Sequence, residues 1–299
     1  MPVTTILGAI VAGMTSEGGG AVAFPVMTFV LHLSPQTARD FSLMIQTVGM
    51  SMALFVIIFM RIQIEWRAII FGTIGAIPGA VVGFHCLDDL LTAPAKKMAF
   101  VSIWSAFAVS LWILNRERKR TTVLIIQRFN WWKALVLVFT GFIGGIFTSF
   151  AGSGVDICIF STITLLFSVS EKTATPTTIV IMALNSQFCL YWRAVIMGDV
   201  DQLAWDYLKV CVPVAATFAP LGSFVGSHFH RQTLAFLVYI LETVAFVGFL
   251  FTRPAWHLVV ASFLIIGFGF LFFSAISRVG KKLIVCNTPA TPATDEQKI

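Results

Sequence analysis

Two glycine-rich breaks interrupt long apolar runs at corresponding places in this chain. The first is Gly13-Met14-Thr15-Ser16-Glu17-Gly18-Gly19-Gly20 and the second is Thr148-Ser149-Phe150-Ala151-Gly152-Ser153-Gly154. Inside a bilayer the backbone groups freed by such a break have no water to bond. The break is tolerated only where the loosened chain is buried in protein or lines a cavity. Paired breaks at matching positions of two halves are a sequence pointer to the binding site of a carrier.

The bilayer itself follows from composition. Of the 299 residues, 58% are hydrophobic and only 11% charged, against roughly 25% charged in a soluble domain. The chain is therefore expected to be an integral, multi-pass membrane protein almost throughout, in the plasma membrane, with no separate soluble domain. Its formal charge of +6 does not point to nucleic acid, because the basic residues sit in short connections between apolar spans. No Lys or Arg precedes Arg39, so the first apolar stretch lacks the basic start of a cleaved secretory signal. Cys86, Cys158, Cys189, Cys211 and Cys286 show neither a CxxC pair nor metal-ligand spacing. They read as isolated thiols buried in helices, and neither a metal nor another cofactor is expected.

Apolar stretches of about 18 residues or more can cross as helices. They lie near 37–60, 66–87, 97–114, 173–195, 207–228, 233–251 and 256–277. The pieces flanking the breaks, 3–14 with 21–33 and 133–147 with 155–168, are shorter, which suits re-entrant or broken helix pairs. The halves align in order: Thr37-Ala38 with Thr173-Ala174, Trp66 with Trp205, Pro78-Gly79 and Gly83 with Pro220, Gly222 and Gly226, and His85 with His228. The connection carrying Arg116, Arg118, Lys119, Arg120, Arg128 and Lys133, and the tail beginning Arg278, Lys281, Lys282, are both expected on the cytoplasmic side. An even number of crossings must then separate them, which requires the broken pair to return to its starting side. A returning pair plus three crossings is an odd unit, so its duplicate must be upside down. The reading is an all-α, polytopic membrane fold. It has a first repeat over 1–114, a basic cytoplasmic connection over 115–132 and a second, inverted repeat over 133–251. An additional transmembrane helix over 252–277 and a disordered tail over 278–299 follow. Oligomeric state is not constrained.

The breaks expose half-helix ends, whose unpaired N–H groups and partial positive charge suit a small anion. Gly18, Gly19 and Gly20 in the first half and Gly152, Ser153 and Gly154 in the second are therefore candidate solute-binding residues. Hydroxyl-bearing helix starts follow each break: Thr37, Asp40 and Ser42, then Thr173, Thr175, Thr177 and Thr178. Hydroxyls suit an oxyanion with several acceptor oxygens; the plain alternative is helix capping. Ser42, Thr177, Thr178 and Asn185 complete the candidate binding set. Glu17, Asp40, Asp156 and Glu242 are the coupling candidates, since an ionisable group at membrane depth is a functional candidate by default. For Glu242 the alternative is a protonated carboxyl bonded to another helix. The amides of Gln46, Asn185 and Gln187 either bond a solute or hold helices together. His228 and His230 have no further metal ligands at suitable spacing. Trp66, Trp131, Trp132, Trp205 and Trp256 fit an aromatic belt.

Taken together these elements resemble the sulfite exporter TauE/SafE family of integral membrane transporters. The resemblance is carried by Gly18-Gly19-Gly20, Phe24-Pro25, Ala38 with Ser42, Trp66, and Pro78-Gly79 with Gly83. Its second copy is Gly152-Ser153-Gly154, Ala174 with Thr177-Thr178, Asn185, Trp205, and Gly222 with Gly226. It extends to about residue 250. The departures are acidic or stiff: Glu17 beside the first glycines, Ser153 and Asp156 in the second break, and Asp40 and Pro176 in the helix starts. Acids near an anion site oppose binding unless protonated or paired, so the resemblance implies a carrier more strongly than it implies sulfite.

The function expected is a secondary transporter, in the exporting direction, of sulfite or an organosulfur or organic anion, with a proton as a candidate coupling ion. The partners are a small anionic solute and the lipid bilayer. No nucleotide-binding loop is present to couple ATP. A channel or a non-transporting membrane scaffold is the second reading. An intramembrane enzyme is the third and weakest, because no His-Glu-x-x-His, Gly-x-Ser-x-Gly or comparable set exists.

Overall fold

The computed structural model describes residues 2–15, 20–87, 90–116, 122–228, 231–252 and 254–287. Those residues form a helical bundle without strands, as a lipid-embedded chain must when every backbone group needs an internal partner. Its elements are α1 (Pro2–Met14), α2 (Gly20–Pro25), α3 (Pro35–Phe59), α4 (Trp66–Val82), α5 (Ala93–Arg116), α6 (Trp131–Ala151), α7 (Val155–Ser161), α8 (Glu171–Tyr191), α9 (Gln202–His228), α10 (Arg231–Phe251) and α11 (Trp256–Asn287). Helices α2, α4, α7 and α8 each end in a π-helical segment: Val26–Val30, Gly83–Leu87, Thr162–Leu166 and Trp192–Met197. Among the described residues, six helices are long and apolar enough to cross a membrane.

The two broken helices terminate alike. After Val26–Val30 the chain turns through His32 at φ 54°, and the Leu33 N–H donates to the Met27 carbonyl. After Thr162–Leu166 it turns through Ser168 at φ 53°, and the Val169 N–H donates to the Ile163 carbonyl. Extended Ser34 and Ser170 then open α3 and α8. A serine at this position caps the first free N–H groups of a helix, and Ser34 accepts from Thr37 N–H.

Packing couples the halves rather than each half to itself. Helix α4 lies along α6 with backbones in contact: a Cβ added to Gly75 or Gly79 would fall on the carbonyl oxygens of Val138 or Phe142. Helix α1 lies along α9 in the same manner, Gly222 against Ile10 and Gly226 against Met14. Small residues permit this approach, and dispersion rather than water exclusion drives it in lipid. In both pairs the contacting residues rise together, so the two helices run in the same direction. Helices α3 and α8 run against each other. Gln187 donates to Ser51, and six residues later Arg193 meets Asp40.

The described part of the connection between halves is tied down. Val123 pairs with Val169 in an isolated bridge, and buried Glu65 accepts the Ile126 N–H at 2.7 Å. Exposed Trp66, Trp131 and Trp256 open α4, α6 and α11, as belt residues should.

Three expectations need correction. The piece before the second break is a 21-residue helix, Trp131–Ala151, about 30 Å long at 1.5 Å per residue and thus able to cross alone. Thr148 and Ser149 continue it by donating to the carbonyls of Gly144 and Ile146, and it stops only at Gly152 with φ 79°. Helix α11 runs on through Asn287, past the end expected at 277, because Gly280 packs directly on the Leu165 carbonyl. Cys86, expected to be buried, is exposed.

Candidate functional site

The second break is built to be tight. A Cβ at Gly152 would meet Ser42 Cβ at 2.8 Å and the Arg39 carbonyl at 2.9 Å, so the break packs directly on the start of α3. Ser153 and the Gly154 N–H both donate to the Asp156 carboxylate, and the Val155 N–H donates to Thr148 Oγ1. These backbone donors at the start of α7 therefore already have side-chain acceptors, and Asp156 holds the break closed. Gly20 opens α2. Glu17, Gly18 and Gly19 lie outside the described residues.

Against this break stands a cluster of buried charges. Arg39 and Asp40 come from α3, and Arg193 comes from the π-helical end of α8; none is more than 3% exposed. Asp40 Oδ1 accepts from Arg39 Nε at 2.9 Å and from Arg193 Nε at 3.2 Å, and its Oδ2 accepts from Arg193 Nη2 at 3.0 Å. Arg39 Nη1 donates to the Ser149 carbonyl beside the break. Phe84, in the π-helical segment after α4, lies under both guanidiniums, 5.6 Å from Arg39 and 6.0 Å from Arg193. That is within cation–π range. Ions this far from water persist only when paired and fully bonded. One carboxylate between two guanidiniums gives that pairing, and an arginine fork is the side chain best matched to planar oxyanions.

The hydroxyls of the helix starts are used internally. Ser42 donates to the Ala38 carbonyl, Thr177 to the Thr173 carbonyl and Thr178 to the Thr175 carbonyl. Thr177 also accepts the Glu65 N–H, while Thr37 donates to Asp201. In each half the start of the third helix thus grips the residue that opens the fourth helix of the other half. Asn185 and Gln46 are buried amides. Among the described residues Asn185 Oδ1 and Gln46 Nε2 have no hydrogen-bond partner, and Gln46 lines an apolar cavity between α1, α2, α3 and α9. Glu242 is buried on the face of α10 that carries Val238, Ala245 and Phe249, and α10 packs chiefly on α5.

The structure thus packs Gly152 on Ser42 and Arg39, at the end of α3 that carries Asp40, and joins Ser153 and Gly154 to Asp156. Thr177 and Thr178 sit at the α8 start, and Glu242 lies on a different helix pair. Arg39 and Arg193 were missed as site residues. Their signal is available, since each is a charge near the edge of an apolar span.

The fold and the breaks can be set beside known proteins. The sequence profile of the family described as Sulfite exporter TauE/SafE matches residues 2–249. The chain belongs to the sulfite exporter TauE/SafE family. The match covers both breaks, the arginine cluster, helices α1 to α9 and α10 up to residue 249, and leaves α11 outside. TauE/SafE is a membrane transporter family, which agrees with an integral, multi-pass bundle. No significant similarity to a curated protein or a solved structure was found.

Proposed function

We propose that this TauE/SafE member is a secondary exporter of a small oxyanion, sulfite or an organosulfur or organic anion of similar head group. The observation that carries the reading is the convergence of Arg39 and Arg193, one from each half, on Asp40 beside the second break. Two guanidiniums held out of water make a strong oxyanion receptor, and the Asp40 carboxylate that already sits on them has the geometry of such a ligand. The acid that the sequence set against anion binding is a paired one.

Alternation between two faces is supported by helix direction. The α1/α9 and α4/α6 pairs run parallel and the α3/α8 pair antiparallel, as two inverted halves would require. Asp40 is also the coupling residue this reading favours, because a solute that takes the guanidiniums leaves its carboxylate without those partners in a dry site.

The test is solute flux in proteoliposomes with sulfite, methanesulfonate and acetate, driven with and without a pH gradient. Wild type should move at least one of them, and Arg193→Gln and Arg39→Gln should each lose at least tenfold. Wild-type rates in both variants would remove the cluster from the pathway.

A further inference from the structure

Arg193 offers two hydrogen-bonding edges, and they are filled unequally. The Nε/Nη2 edge holds buried Asp40 through both carboxylate oxygens, at 3.2 and 3.0 Å. The Nη1/Nη2 edge meets a single oxygen of Asp199, Oδ2, at 3.4 Å from each nitrogen. Nη1 has the Met197 sulfur at 3.5 Å, and Nη2 also donates to the Asp199 carbonyl. The Asp199 side chain is 78% exposed while that of Arg193 is 2% exposed. One edge is therefore a proper two-oxygen fork sealed inside the protein. The other faces the Gly198–Asp201 turn, where, beside the Nη2 bond to the Asp199 carbonyl, its side-chain contact is long, uses one oxygen and goes to a carboxylate standing in water.

We infer that the Nη1/Nη2 edge of Arg193 is the first docking point of the transported anion, and that Asp199 is the residue the anion displaces. This rests on the carrier reading above and adds where and how the solute enters. Releasing the Asp199 carboxylate costs little, because its contact to this edge is long and the carboxylate itself is already hydrated. Releasing Asp40 at the same moment would strand a buried charge, which is the expensive event. The order follows: Asp199 yields first at the aqueous mouth, and the inner carboxylate yields only after an anion is held. The edge selects ligands with two oxygens on one centre, such as a sulfite, sulfonate or carboxylate group, over a spherical anion, because only they fill both nitrogens at once. Asp199 thereby sets the threshold affinity without entering the inner site.

The experiment is calorimetric titration of the purified full-length protein in nanodiscs with sulfite, methanesulfonate and chloride. The proteins compared are wild type, Asp199→Asn, Arg193→Lys and Asp206→Asn. Asp206 is another exposed acid on the neighbouring helix, paired with Lys209, and controls for general surface charge. Asp199→Asn should bind the two-oxygen anions about two- to fivefold more tightly, because the weakly held competing carboxylate is gone. Asp206→Asn should match wild type. Arg193→Lys keeps the charge and loses the fork, so its preference for sulfite and methanesulfonate over chloride should collapse. Equal affinities in Asp199→Asn and wild type would overturn the inference while leaving the carrier reading intact. Failure of wild type to bind either two-oxygen anion would overturn both.

Discussion

Asp40 shows how a single residue changes meaning once its neighbours are known. On the sequence it stands as an acid out of place in an anion carrier. In the fold it is the hub for Arg39, one residue away, and Arg193, more than a hundred residues away. No periodicity reports the second contact, so pairing was not legible, although the acid itself was. Removing one member of a buried ion set typically costs about 3–5 kcal/mol. Asp40→Ala should therefore lower thermal stability sharply, measured by fluorescence-detected melting. The double variant Arg193→Met with Asp40→Leu should recover part of the loss, since buried Arg39 still lacks the Asp40 carboxylate, and transport nothing. If the single and double variants melt alike, Asp40 and Arg193 are not energetically coupled. Gln46 is the opposite case. Its Nε2 is buried without a partner among the described residues, which carries a penalty of about 1–3 kcal/mol, so Gln46→Leu should melt at or above the wild-type temperature. A drop of several degrees would show that the amide is satisfied in the membrane.

At the scale of elements, the breaks were legible as positions and less so as structures. Glycine content located the second break, whereas the length of α6 depended on Thr148 and Ser149 turning their hydroxyls onto their own helix. The short α7 likewise depended on Asp156 and Thr148 taking its first N–H groups. These are local hydrogen bonds that compete with one another and that composition does not rank. Gly154→Val should insert into the membrane yet abolish flux, because its side chain would collide with Phe147 and the Thr148 backbone. Normal flux in that variant would mean the break is scaffolding. The glycine rows of α4 and α9 were visible as repeats, but their partners were not, because α4 finds α6 and α9 finds α1. Gly79→Leu and Gly222→Leu should each destabilise by at least about 1–3 kcal/mol, the usual cost of overpacking. Wild-type melting in both would contradict the backbone-on-backbone crossings.

For the whole molecule, hydropathy and the doubled motif order were enough to specify an all-α membrane bundle, and the family match agrees over residues 2–249. Sidedness rests on charge. Cysteine labelling in a background lacking exposed Cys86 should find Arg118→Cys and Ala290→Cys on one face and Leu203→Cys on the other. Positions 118 and 290 on opposite faces would rule out two inverted halves. The crossings of α1 on α9 and of α4 on α6 also bear on how the protein is made. Helix α1 leaves the ribosome some 200 residues before α9, so at about 5–20 residues per second it waits roughly 10–40 s for the surface it packs against. During that interval the face of α1 that will meet α9 has only lipid or the translocation machinery for company. The first half cannot mature alone, and a nascent chain stalled before residue 200 should be a ready substrate for membrane quality control.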